Sequence, residues 1–352
     1  REISKYAKGH TIVVEKSTLP VKTAQTIKDI LDATKNDSSI LKSKTFSVLS
    51  NPEFLAEGTA IKDLEDPDRV LIGGEDKEAM NALVKIYSNW IDKNKVMTTD
   101  LWSSELSKLI ANAFLAQRIS SINTISALCE ATGAQIKDVA LAVGMDKRIG
   151  KYFLNSGPGF GGSCFKKDIL NLVYLSNYFG LPEVANYWNQ VVALNTWQQD
   201  RIYRIVVDKL FGTVDGKNIA ILGFSFKANT NDTRESPAIR ISCDLLEEGA
   251  HLSIFDPKVS FERMEEDFEK FSFKNQGTWQ IANSIPEALE NVDAAIILTA
   301  WDEFFGLDWN YLASLMRSPA WVFDTRSVVN RQEIENTGLN LWKLGEGDKM
   351  LS

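Results

Sequence analysis

The sequence predicts an α/β protein in which two doubly wound, Rossmann-like units are joined by a helical core with long helices. Three observations predict it. Short Val/Ile/Leu-rich runs alternate with amphipathic stretches over residues 1–100, the βα rhythm of a parallel sheet covered by helices. The same rhythm returns over residues 217–345. Between them the chain keeps a helical period and shows no strand-like run. The predicted domains are therefore residues 1–100, 101–208 and 209–352.

The elements follow in order. Thr11–Glu15 reads as a buried strand and Val21–Ala33 as a helix. Phe46–Leu49 and Val70–Ile72 are strands, the second broken by Gly73-Gly74, and Lys77–Ile91 is helical. Ser103 or Ser104 caps a long helix with Glu105 in its first turn, ending at Thr132 before Gly133. Leu106, Leu109, Ile110, Phe114, Ile119, Ile122, Ile125 and Leu128 keep its period, and Ser120, Ser121, Asn123 and Ser126 suit close packing against another helix. About 45 Å of helix, at 1.5 Å per residue, exceeds one side of a small domain. A second long helix covers Glu183–Leu210, with Trp188, Val192 and Trp197 along it. Asn218–Leu222 is a strand. Ser236-Pro237 supplies an N-cap and a proline at the first helical position, and Gly249 ends that helix. His251–Phe255, Ala294–Leu298 and Trp321–Phe323 are further strands.

Bulk properties exclude several classes. A formal charge of -8 over 352 residues is no nucleic-acid footprint. No apolar run approaches the roughly 18 residues of a membrane span, and no signal peptide opens the chain. Three cysteines make no disulfide framework, so a reducing cytoplasm is expected. Cys129 and Cys243 sit in apolar helical patterns as core residues. His10 and His251 belong to no polar cluster, and no metal site is expected.

Gly159–Asp168 carries the densest chemistry. Its glycines let backbone approach a ligand, and Cys164 is followed by Lys166, Lys167 and Asp168. Cysteine attacks carbon only as thiolate, a form that neighbouring cations favour, and a carboxylate one turn later can move protons. The plainer alternative is a glycine loop capping a helix that starts near Ser163. Gly157–Gly162 also satisfies G-x-G-x-x-G, but only Tyr152–Leu154 precedes it and Pro158 lacks an N–H, so it is rejected as a dinucleotide site. Four other clusters stand out: Glu15–Pro20 and Asn51–Gly58 after strands, Lys108 with Asn112 on one helix face, and Gly223–Lys227 with Asn231–Pro237. The plain readings are polar loops and, for Lys108, an ion pair with Glu105.

Glu15–Pro20, Ser50–Gly58, Ser104–Ala131, Gly144–Gly150, Gly159–Asp168 and Gly223–Pro237 occur in one order that resembles the UDP-sugar and GDP-mannose dehydrogenase family, and within it the UDP-glucose branch. The resemblance covers essentially the whole chain. It implies an NAD-dependent four-electron oxidation of UDP-glucose to UDP-glucuronate through a cysteine thiohemiacetal and thioester. It implies Cys164 as nucleophile and Lys108 as oxyanion partner assisted by Asn112, with Asp168 and Glu53 moving protons and Thr18 positioning water. Phe54, Leu55, Phe153, Asn155, Gly159, Phe160, Gly161, Phe226, Lys227 and Arg326 join Glu53, Lys108 and Asn112 in holding the UDP-sugar. Ser17, Thr18, Glu57, Lys167 and Arg234 lie toward NAD, and Arg148 reaches a neighbouring subunit of a homo-oligomer. Asn155 departs from the lysine of animal enzymes, which puts one nucleotide-sugar contact in doubt. The family's opening glycine fingerprint is absent, so the first unit is expected to be incomplete at its N-terminus and the chain inactive alone. The alternatives are oxidation of UDP-N-acetylmannosamine or GDP-mannose, or an inactive nucleotide-sugar-binding fragment.

Overall fold

The computed structural model describes residues 1–18, 22–33, 44–271 and 277–347. Leu19, Pro20 and Val21, in the first polar cluster and at the predicted helix start, lie outside the described residues. The chain divides into two compact units, Arg1–Asn112 and Ala113–Ser352.

The first unit contains α1 (Glu2–Tyr6), β1 (His10–Glu15), α2 (Thr23–Ala33), β2 (Thr45–Ser50), α3 (Ala60–Glu65), β3 (Val70–Gly73), α4 (Lys77–Tyr87), β4 (Val96–Thr99) and the start of α5 (Leu101–Thr132). Its sheet has the order β1-β2-β3-β4. β1 and β2 are parallel, as are β3 and β4, while β2 and β3 meet antiparallel at Ser50 and Gly73. The pairing Glu15↔Ser50, Ser50↔Gly73, Gly73↔Thr99 therefore puts all four carboxyl ends in one row. Phe46 and Val48 pack toward Ala24 and Leu31 of α2, and Leu49 and Ile72 toward Ala79 and Leu83 of α4. α4 stops at Tyr87, short of the predicted Ile91, because Ser88 and Asn89 turn their side chains back onto the carbonyls of Val84, Lys85 and Ile86. α5 begins earlier than predicted, because Asp100 is the cap: it accepts the Ser103 N–H at 2.8 Å and the Ser103 hydroxyl at 2.7 Å.

The second unit continues α5 and adds α6 (Ile136–Gly144), α7 (Phe165–Tyr178), α8 (Pro182–Lys209), β5 (Asn218–Leu222), α9 (Pro237–Glu247), β6 (His251–Phe255), α10 (Phe261–Phe268), β7 (Thr278–Ile281), α11 (Ile285–Leu289), β8 (Ala294–Ile297), α12 (Trp309–Ala313), β9 (Trp321–Asp324), α13 (Arg331–Glu335) and β10 (Asn340–Lys343). The sheet runs β10-β9-β8-β5-β6-β7 with every pairing parallel. Ile219 and Ile221 enter one core with α8, α9 and α10, while Ala220 and Leu222 enter another with α11 and α12. Covering both faces is what doubly wound means physically. Strand order reverses between β5 and β8, and ligands of such sheets bind at the carboxyl ends where that happens. Within the helical part, Ser120, Asn123 and Ser126 are buried, Ser120 donating to the Val191 carbonyl of α8 at 2.9 Å, whereas Ser121 is exposed.

Two buried aspartates shape that carboxyl edge. Asp256, after β6, accepts the N–H groups of Phe224 and Ser225 at 2.7 and 2.9 Å, the Trp301 indole N–H at 3.1 Å, and the Lys258 and Val259 N–H groups at 2.9 and 3.1 Å. Asp324, ending β9, accepts from Arg326, Val328 and Val329. Asp256→Asn replaces an acceptor by a donor facing other donors. Unfolding in urea is expected to show a loss of roughly 3 kcal/mol, the scale of leaving two or more buried N–H groups unpaired. A loss below roughly 1 kcal/mol would mean that the loop does not depend on this carboxylate.

Candidate active site

In the first unit the candidate residues stand on the row of carboxyl ends. Lys16, after β1, donates to Asn51 Oδ1 and to the Tyr87 hydroxyl, both at 3.0 Å, and Asn51 Nδ2 donates to the Leu71 carbonyl at 2.7 Å. One polar knot thus fixes the starts of the loops after β1 and β2. Ser17 is exposed and Thr18 half-buried beside it. Glu53, in the second loop, accepts the Leu55 N–H at 2.7 Å with one oxygen, and its other oxygen lies 3.7 Å from Lys108 Nζ. Lys108 is only 5% exposed and lies 5.3 Å from the centre of the Phe54 ring, which Arg69 also covers at 3.9 Å. Asn112 is buried one turn further along α5, and Glu57 is half-buried in the loop after β2. Glu105 does not pair with Lys108. It accepts the N–H groups of Lys22 and Ala24 at 2.7 and 2.8 Å, at the amino end of α2. A buried ammonium beside a half-buried carboxylate and an aromatic face can stabilise negative charge on a ligand oxygen.

In the second unit Cys164 stands at the N-cap of α7, with Ser163 Oγ 3.5 Å from its sulfur. Asp168 follows one turn later, 1% exposed, its N–H bonded to the Cys164 carbonyl. The two lysines pair with carboxylates: Lys166 with Glu235 at 2.8 Å and Lys167 with Asp168 at 3.7 Å. Arg234 is paired with Asp232 at 2.7 Å. In the Gly157–Gly162 turn the N–H groups of Gly157, Phe160 and Gly162 are already taken, by Asn123, Asn195 and the Arg234 carbonyl. Gly159, Phe160 and Gly161 are buried, while Phe153, Asn155 and Arg148 are exposed, Arg148 paired with Asp146 at 2.6 Å.

At the reversal point, Lys227 Nζ lies 5.5 Å from the Phe226 ring. Arg326 spans the loops there: Nε donates to the Leu298 carbonyl at 2.8 Å and Nη2 to the Phe226 carbonyl at 3.4 Å. Both guanidinium hydrogen bonds go to carbonyls, and no carboxylate lies within ion-pair distance among the described residues. Burial pulls the guanidinium down to about 10, partly opposed by Asp324, so it stays charged at neutral pH. A charged guanidinium without an ionic partner is a site for an anion. Asp256 is not among the candidates the sequence offers, although a carboxylate just past an apolar strand is a visible signal. Nor are the buried amides Asn195 and Gln198, which look like ordinary helix surface when only their period is considered.

Cys129 and Cys243 are buried, and burial pushes the Cys243 thiol up to about 12. His10 and His251 each open a strand and pair through Nδ1 with Thr45 and Thr278 across the ladder. Among the described residues no cluster of His, Cys, Asp and Glu could hold a metal, and no helix is long and apolar enough to cross a membrane.

Three domains of one family match the chain. The NAD binding domain of the UDP-glucose/GDP-mannose dehydrogenase family matches residues 1–91, the central domain 102–197 and the UDP binding domain 220–331. UDP-glucose 6-dehydrogenase 4 of Oryza sativa subsp. japonica is 49% identical over 363 residues, covering 98% of this chain and 74% of the relative. UDP-glucose 6-dehydrogenase of Caenorhabditis elegans is 50% identical over 351 residues, covering 98% and 72%. A solved UDP-glucose dehydrogenase from Pyrobaculum islandicum superposes with a TM-score of 0.80 at 30% identity, covering 96% of this chain and 71% of that one.

Glu15 sets a pH dependence. It is buried at the end of β1, and its Oε1 has no hydrogen-bond partner among the described residues. Burial first, and the Glu105 charge second, push its carboxyl from 4.5 up to about 7, against the pull of the Ser17 N–H and Lys16. A raised carboxyl favours the fold when protonated. That stability is fully present below 4.5 and is lost as pH rises through about 7. Melting temperatures across this window should fall for the parent protein and fall less for Glu15→Gln. Parallel curves for the two would remove Glu15 as the cause.

Proposed function

The chain belongs to the UDP-glucose/GDP-mannose dehydrogenase family, and from that premise we infer that it is a UDP-glucose 6-dehydrogenase, an oxidoreductase that uses NAD to convert UDP-glucose to UDP-glucuronate. The observation that carries this reading is the 49–50% identity to enzymes of that name along 98% of the chain.

The row of strand carboxyl ends in the first unit suits a dinucleotide, with Ser17, Thr18 and Glu57 on the loops that leave it. Lys167 and Arg234 complete the proposed NAD contacts. Bound there, NAD supplies the hydride acceptor for each of two oxidations. In the second unit Phe226, Lys227 and Arg326 suit the anionic UDP-sugar, with the Gly159–Gly161 turn, Phe153 and Asn155 beside them. The first oxidation removes a hydride from C6 and a proton from its hydroxyl, leaving an aldehyde. The Cys164 thiolate adds to that carbonyl, forming a C–S bond and a thiohemiacetal alkoxide that Lys108 and Asn112 stabilise. Loss of the second hydride from C6 leaves a thioester. Water, positioned by Thr18 and deprotonated by Asp168 or Glu53, adds to the thioester, and the C–S bond breaks to release carboxylate and thiolate. The covalent step explains why one protein can carry an alcohol to an acid without releasing the aldehyde. Phe54 and Leu55 close the sugar end of this assignment.

We place the protein in the cytoplasm, where its free thiols persist. It assembles as a homo-oligomer through the exposed apolar residues of α5, where Phe114 and Leu128 are 54% and 58% exposed, and the exposed Arg148 reaches a neighbouring copy.

Two measurements follow. NADH production by the full-length protein should be fastest with UDP-glucose among UDP-glucose, UDP-N-acetylmannosamine and GDP-mannose. Cys164→Ser should lower kcat by orders of magnitude and trap an ester visible as added mass. Normal turnover in that variant would end the covalent mechanism, while a different preferred sugar would end the substrate assignment. Light scattering at micromolar concentration should give a dimer or larger species that Leu128→Glu weakens; a monomer would contradict assembly through α5.

A further inference from the structure

The Gly157–Phe160 segment is gripped by three buried side-chain amides that the reaction scheme leaves without a part. Asn195 of α8 pairs with Phe160 in both directions: the Phe160 N–H donates to Oδ1 at 2.8 Å, and Nδ2 donates to the Phe160 carbonyl at 3.1 Å. Gln198, one turn on and fully buried, donates to the Gly157 carbonyl at 2.9 Å. Asn123 of α5 accepts the Gly157 N–H at 2.9 Å. Every backbone hydrogen-bonding group of Gly157 and Phe160 is thus taken by a helix side chain, in a turn that pairs with no strand.

The grip is tight and aimed. Gly159 has φ +125°, and a Cβ there would stand 2.7 Å from Asn195 Oδ1 and 3.3 Å from Gln199 Nε2. A Cβ on Gly157 would stand 2.9 Å from Arg326 Nη1, so the gripped backbone lies directly against the guanidinium. Arg201 Nη1 donates to Gln198 Oε1 at 3.3 Å and is itself paired with Glu130 at 2.6 Å, which orients the Gln198 amide. The N–H groups of Gly159 and Gly161 have no partner among the described residues and are left as the turn's donors. Burying three amides costs desolvation that apolar packing would avoid, so packing alone does not account for them.

We propose that Asn195, with Gln198 and Asn123, positions the Gly157–Gly161 backbone against Arg326 so that the free N–H groups of the turn meet the nucleotide sugar. This rests on reading that turn and Arg326 as UDP-sugar contacts. These are positioning residues, since each acts through the backbone it holds.

The test uses Asn195→Ala and Gln198→Met, the second nearly equal in volume but without the amide. Calorimetric titration with UDP-glucose should show Kd raised about tenfold in each, corresponding to about 1.4 kcal/mol. In turnover, KM for UDP-glucose should rise by a similar factor, with kcat and KM for NAD changed less than about twofold, a split that general loosening would not produce. If Asn195→Ala does not fold, Gln198→Met decides alone. Unchanged UDP-glucose affinity in a folded Gln198→Met overturns the proposal. Failure of the parent protein to bind UDP-glucose overturns the substrate reading instead, and this proposal with it.

Discussion

The second unit depends on the Asp256 carboxylate. Parallel strands end in backbone N–H groups that the ladder does not use, and in a sheet covered on both faces water cannot reach all of them. Asp256 collects N–H groups from the loops after β5 and β6 and the indole of Trp301 beyond β8. Three consecutive parts of the carboxyl edge are tied to one side chain. Asp324 does the same for the loop after β9, with Lys343 3.9 Å from its second oxygen. The result is a rigid rim on which Phe226, Lys227 and Arg326 stand at fixed places.

The first unit builds its rim differently. Among the described residues no single carboxylate gathers the loops; Lys16, Asn51 and Tyr87 share the work, and the Ser50 and Ser104 hydroxyls meet at 3.1 Å between the end of β2 and α5. Such a knot of neutral groups around one cation leaves the buried Glu15 close enough to Glu105 for that charge to raise its cost of ionisation. The contrast matters for chemistry. A rim fixed by a buried anion favours binding a ligand in one pose, whereas a rim with a carboxyl poised near neutrality responds to pH.

Charge at the proposed centre is not what a one-dimensional reading suggests. Lys166 and Lys167 closely follow Cys164 in sequence, yet their ammonium groups lie against the carboxylates of Glu235 and Asp168. The Lys166–Glu235 pair is half exposed and contributes little to stability, but it ties the start of α7 to the loop before α9. Lys108 is the cation there that burial singles out, and it lies against Glu53 and the Phe54 ring of the loop after β2.

By itself the sequence determined the elements whose signals are local. The βα alternation, the Ser236-Pro237 start of α9, the stop of α5 before Gly133 and the cysteine after the glycine turn follow from short-range sterics and capping. It missed β4, β7 and β10, which are four-residue strands defined by the neighbour they pair with more than by their own composition. It also placed the α5 cap on serine, because Asp100 and Ser103 both carry the signal and only the bond direction distinguishes them. Tertiary structure alone decided the antiparallel meeting of β2 and β3, the Glu235 partner of Lys166, and the amides that hold the Gly157–Phe160 backbone. These are contacts between residues far apart in the chain, and their partners are set by which surfaces burial brings together, information that no window of neighbouring residues contains.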